Sequence, residues 1–156
     1  MGVTQRKLQE LSLLSVKSMK ARQCSKIAEL RWALEQSGHH SLDKQATALG
    51  LGRSTTWAIL QASHKSSGVS GSVIKRMLRS PTLPPAAKKW IAEYVSEKLS
   101  GAYGHSAKRV RIFRAQVAPA IEGQIAALRD TAELLRAQLD DVRKDRDHWG
   151  DQAKSP

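Results

Sequence analysis

The stretch "LDKQATALGLGRSTTWAILQ", Leu42 to Gln61, holds two glycines two residues apart, followed by Arg53 and the hydroxyl residues Ser54, Thr55 and Thr56. Two chemistries start this way. One is a phosphate-cradling loop; the other is the tight turn between two short helices that deliver side chains to a partner. The phosphate loop needs a glycine, four residues, then Gly-Lys-Ser/Thr, set between a buried strand and a helix. Counting back five from Gly52 reaches Thr47, Arg53 replaces the lysine, and the preceding "LDKQATA" is half polar and helix-patterned. A dinucleotide fingerprint would need a small residue at Thr55 and a βαβ unit around it. Neither spacing is met.

The two-helix reading fits better. Ala46 is small enough to let two helices cross closely, and Gly50 supplies a residue tolerant of positive φ at the turn. Leu49 and Leu51 flank the turn, Ile59 is placed to pack back, and Arg53, Ser54 and Thr55 crowd the exposed start of the second helix.

Working outward, Ile27, Leu30 and Leu34 recur at helical spacing and predict a helix at about 24–37, stopped by Gly38. Ser41 caps a helix over 42–49 that ends at Gly50, and a third runs over 53–62. "SHKSSGVSG" reads as a loop. A fourth helix over 71–79 carries Val73, Ile74, Met77 and Leu78 on one face. "SPTLPP" breaks the chain, because proline is excluded from helix interiors and biases the preceding residue away from helix. A fifth helix over 85–99 buries Trp90, Ile91, Tyr94 and Val95. After "SGAYGHS", Ser106 caps a basic helix, "AKRVRIFRAQV", and Pro119 either kinks it or starts a new one. Residues 1–22 are a helix or a loosely ordered arm.

Composition agrees with an all-α chain. Aromatics make up only 4% of 156 residues, helix formers dominate, and runs of β-branched residues are nearly absent. The formal charge is +12 and is unevenly spread. Residues 53–114 carry 12 Lys/Arg against Glu93 and Glu97, a net of +10; residues 115–156 carry 6 against 8, a net of −2. Such segregation suits a nucleic-acid-binding head joined to a separate assembly element.

With these residues in place, 42–61 resembles the helix-turn-helix of phage-repressor-like DNA-binding proteins, and more loosely the head of the lac-repressor family. The resemblance covers roughly 24–80. Gln45 and Thr56 stand where the family usually has apolar residues. It implies that Arg53, Ser54, Trp57 and Ala58 face the major groove, with Gln61 near the DNA backbone. Arg53 can fork onto a guanine edge, and Ala58 can touch a thymine methyl. A tryptophan at position 57 more often packs against a neighbouring helix than stacks on DNA. Thr55 suits a phosphate, as do Lys65, Lys75, Arg76 and Arg79. Lys88, Lys89, Lys108, Arg109, Arg111 and Arg114 either extend that track or solvate their helices.

The last segment is the most periodic. Ile121, Leu128, Leu135, Val142 and Trp149 fall at heptad position d; Ala118, Ile125, Ala132, Leu139 and Arg146 fall at a. About four heptads predict a coiled coil, with Ile121, Ile125, Leu128, Leu135, Leu139 and Val142 as the dimerisation stripe. The alternative is one amphipathic helix folded back on its own domain, against which the strict spacing argues. The flanking charges leave strand direction open.

Other chemistry is thin. A single cysteine, Cys24, and five scattered histidines offer no metal-ligating pattern, and no nucleophile–base pairing has local support. The expectation is therefore no enzyme, no cofactor and no metal. No apolar stretch reaches about 20 residues, and "LSLLSV" is too short and serine-broken for a signal peptide, so a cytoplasmic, nucleoid-associated protein is expected.

Together these readings predict an all-α chain: an arm at 1–22, a helix-turn-helix head at 23–100, a basic linker helix at 101–117, a coiled coil at 118–150 and a disordered tail at 151–156. The expected function is a dimeric, sequence-specific DNA-binding transcriptional regulator. Its rivals are a DNA-binding assembly protein, small-terminase-like or a plasmid-maintenance component, and a coiled-coil adaptor whose basic face binds RNA or membrane.

Overall fold

A computed structural model describes residues 2–61 and 68–152, with side chains described over 15–61 and 68–146. Among the described residues there are six helices and no strand: α1 (Gly2–Gln36), α2 (Leu42–Leu49), α3 (Arg53–Leu60), α4 (Gly71–Leu78), α5 (Pro85–Leu99) and α6 (Ala107–Gln152). The helix expected at 24–37 is the C-terminal part of α1, which runs back through the expected arm to Gly2. Asp151 and Gln152 continue α6; 153–156 lie outside the described residues.

Local chemistry sets most of these ends. The Ser41 hydroxyl accepts from the Lys44 amide, as an N-cap should, and Ser70 and Ser106 do the same for Val73 and Arg109. Pro85 occupies the first turn of α5, where its missing N–H costs nothing. At the end of α2, Gly50 adopts φ 63°. Its N–H donates to the Thr47 carbonyl and that of Leu51 to Ala46, the paired closure of a Schellman motif.

The chain divides into two compact units, Met1–Ala118 and Pro119–Pro156. In the first, Ile27, Leu30 and Leu34 of α1 and Trp90, Ile91, Tyr94 and Val95 of α5 are all buried. The Trp90 indole N–H donates to the Lys26 carbonyl, which fixes α5 against α1. Lys26 reinforces the pairing by reaching Glu29 (2.7 Å) on its own helix and Glu93 on α5. Burial alone pulls the Lys26 ammonium down, but these two carboxylates outweigh it and hold its pKa above the ordinary value; Lys26 in turn lowers that of Glu93.

Residues 107–117, expected as a basic linker helix, supply Phe113 and Val117 to the core of this unit. Beside Phe113 lies Lys98, whose side chain is buried. Its ammonium donates to the Val69 carbonyl at 2.6 Å and sits 4.4 Å from the Phe113 ring centroid. The Tyr94 hydroxyl accepts from the Val69 amide at 2.8 Å, so both backbone groups of Val69 are tied to α5. Desolvation lowers the Lys98 pKa to about 8 and pushes that of the Tyr94 phenol well up.

In the second unit, α6 continues from Pro119, which falls inside the helix rather than starting a new one. A proline there removes one i→i−4 hydrogen bond, and the division between the units falls at this residue. No helix among the described residues is long and apolar enough to cross a membrane.

Candidate nucleic-acid interface

The α2–α3 pair is built by three sets of contacts. Ala46, Ala48 and Leu49 of α2 and Ile59 and Leu60 of α3 are buried, with Leu51 between them. Gln45 and Thr56, polar where the resembling family is apolar, are buried as well. Gln45 is satisfied there: its side-chain amide donates to the His39 carbonyl at 2.9 Å, just past the end of α1. The Thr56 hydroxyl has no hydrogen-bond partner among the described residues.

The turn is held from outside. The hydroxyls of Ser80 and Thr82 donate to the α2 carbonyls of Ala48 (2.8 Å) and Thr47 (3.1 Å). Ser80 lies so close to Gly50 that a Cβ on that glycine would come within 2.9 Å of the serine Cβ. The end of α4, with Arg79 next to Ser80, thus abuts the turn that precedes Arg53.

With Thr56, Ile59 and Leu60 turned inward at 100° per residue, Ser54 and Gln61 fall on the opposite side and Trp57 at its flank, while Arg53 is exposed as the first residue of the helix. All four are exposed; Thr55 and Ala58 are half-buried. Trp57 is 53% exposed, so it does not pack into a neighbouring helix. Arg53 reaches Asp43 in the first turn of α2 at 3.3 Å. Both side chains are well exposed, and such pairs are worth roughly 0–1 kcal/mol, so the guanidinium stays available to a partner. The result is a basic, aromatic and hydrogen-bonding strip at the start of a short helix.

The expected phosphate contacts are distributed around it. Arg76 and Arg79 are exposed and Lys75 is half-buried on α4, while Lys65 lies outside the described residues. Lys88, Lys89, Lys108, Arg109, Arg111 and Arg114 are exposed on α5 and α6. A groove of about 290 Å³ at the N-terminal end of α4 is lined by Lys98, His105 and Arg109, among others.

Trp32, outside the residues expected to be functional, is 65% exposed on α1. Its position opposite Ile27, Leu30 and Leu34 was available from helical periodicity. Among the described residues no group of histidines, cysteines and carboxylates could hold a metal ion.

The stripe expected to dimerise is solvent-facing in the second unit: Ile125, Leu128, Leu135, Leu139 and Val142 are 44–69% exposed, and Ile121 is half-buried. Leu134, outside the a and d positions, is exposed too.

No family model, curated protein or solved structure matches this chain.

Proposed function

We propose that this chain is a sequence-specific DNA-binding protein that reads the major groove with α3 as the second helix of a helix-turn-helix. On this reading it acts as a dimeric transcriptional regulator through the C-terminal coil. The observation that carries it is the shared exposed face of Arg53, Ser54, Trp57 and Gln61, starting directly after a turn closed by Gly50. The surrounding charge supports it, since 53–114 carries a net of +10.

The chemistry divides by position. Arg53 is suited to bidentate contact with a guanine edge, Ser54 to a base or phosphate, and Ala58 to a thymine methyl. Trp57, with its ring in solvent, can stack or pack against sugar and base edges. Thr55, Gln61, Lys75, Arg76 and Arg79 supply phosphate contacts, which set affinity and make it depend on salt. One short helix reads only a few base pairs, so two linked heads raise both affinity and specificity.

Selection of bound fragments from a random DNA pool tests this directly. The reading requires enrichment of a defined motif and a bounded footprint. Arg53→Ala should cost about 1–3 kcal/mol of specific binding and relax preference at one base position. Uniform weakening across all duplexes would remove Arg53 from the groove. Equal affinity for every duplex through a salt titration, combined with a ring larger than a dimer, would instead favour the assembly-protein reading.

A further inference from the structure

We propose that 119–146 pairs with the same segment of a second copy in antiparallel orientation, centred between Glu133 and Leu134. This rests on the reading of that segment as a coiled coil between two chains and adds its direction and register.

The argument starts from the layers. A coiled coil stacks its a and d side chains in successive layers, parallel pairs matching a with a and antiparallel pairs matching a with d. In a parallel, in-register pair, Arg146 would lie beside Arg146 of the second copy, and Ala132 would face only Ala132. The first places two like charges at an apolar seam; the second leaves a thin layer between the bulky ones formed by Leu128 and Leu135.

The antiparallel register removes both faults. It stacks Ile121 on Arg146, Ile125 on Val142, Leu128 on Leu139 and Ala132 on Leu135 of the second copy, each layer occurring twice by the twofold axis. Small then meets large, and each Arg146 lies against an isoleucine with the Glu122 of the second copy adjacent in sequence. The residues to be covered are those the structure leaves in solvent, from Ile125 at 44% exposed to Leu128 at 69%.

Charge gives a second argument. At the flanking e position, antiparallel pairing sets Glu122 beside Arg143 of the second copy, at both ends of the coil. Within one helix the same two residues stand about 31 Å apart, so neither a parallel pair nor a single chain can join them. The central e residues, Arg129 and Arg136, meet as like charges, but Glu133 lies four positions after the first and three before the second, where it offsets both. Shifting the register by one heptad exchanges this match for Glu122 beside Arg136 in one direction and loses it in the other, and either shift breaks the pairing of Ala132 with Leu135.

Direction has a functional consequence. Each copy's first unit joins its coil at Ala118, so antiparallel pairing attaches the two heads to opposite ends of a seam about 40 Å long. Such a dimer engages two well-separated half-sites or two DNA segments.

Sedimentation of the full-length chain, with Glu122→Arg, Arg143→Glu and the double variant, tests the pairing. We expect a dimer whose dissociation constant rises several-fold to about tenfold in each single variant and returns to within about twofold of the parent in the double variant. A double variant no better than either single one overturns the register. A second measurement uses Leu128→Cys and Leu139→Cys chains in a Cys24→Ser background, since Cys24 is free and exposed. Antiparallel pairing gives a disulfide-linked dimer only when the two chains are mixed. If each chain cross-links with itself and mixing adds nothing, the direction is overturned while the coiled-coil dimer stands. A monomer at every concentration overturns both, and an assembly larger than a dimer overturns the two-chain pairing.

Discussion

The first unit and the segment from Pro119 onward use the same residues to different ends. Both are helical, and both place leucine and isoleucine at helical spacing. In the first unit Leu30, Leu34, Ile59 and Ile74 are fully enclosed. In the second, Leu128, Leu135 and Leu139 stay more than half exposed. Apolar surface stabilises a fold only when water leaves it, at about 25 cal/mol per Å². The first unit therefore carries its own stability, whereas the stripe of the second contributes only through a partner.

The largest expected effect tests that contrast. Trp90→Ala removes a buried ring stacked 4.9 Å from Tyr94 together with the bond to the Lys26 carbonyl, and should cost about 3–5 kcal/mol of unfolding free energy. Leu139→Ala should leave the denaturant midpoint of the first unit unchanged and weaken self-association. Equal losses in unfolding free energy from the two substitutions would erase the distinction between the regions.

Gly50→Ala is next. It forces an L side chain to φ 63° and drives a Cβ into Ser80, for an expected loss of about 2–3 kcal/mol in the first unit. Urea denaturation reads it. A loss below about 0.5 kcal/mol would show that the turn tolerates a side chain, and the close approach of Ser80 would lose its meaning.

The smallest effect concerns Lys98. Its pKa is lowered to about 8 in the folded chain from an ordinary 10.5. The unfolded chain therefore binds more protons between those values, so stability rises as pH increases across that window. Tyr94 and Tyr103, whose pKa values are raised by burial, reverse the trend above about pH 10, where unfolded tyrosines ionise first. Unfolding free energy should increase by about 1–2 kcal/mol from pH 8 to 10, and Lys98→Met should flatten that rise. An unchanged slope in the variant would assign the rise to another group.

Much of the candidate site was legible in advance. The crowding of Arg53, Ser54 and Thr55 at the start of the second helix, the inward Ile59 and the Gly50 turn were all expected from the sequence. The partners of those residues were not legible. Asp43 beside Arg53, Ser80 against Gly50 and the Gln45 bond to His39 each join residues whose separation in sequence carries no repeating signal. Trp57 shows the same limit: by type it was expected to pack against a neighbouring helix, and only the packing of α3 left it in solvent.

The amino-acid sequence by itself determined the all-α class and the limits of α2 and α5, through Ser41, Gly50 and Pro85. It also set the concentration of positive charge between Arg53 and Arg114. Caps, helix breakers and charge act over a few residues, so they can be read locally. Only the tertiary structure decided that Lys98 is buried against Phe113 and that the start of α6 supplies Phe113 and Val117 to the core. Those outcomes depend on which distant surfaces meet, because burial is a property of a packed whole and not of any one segment.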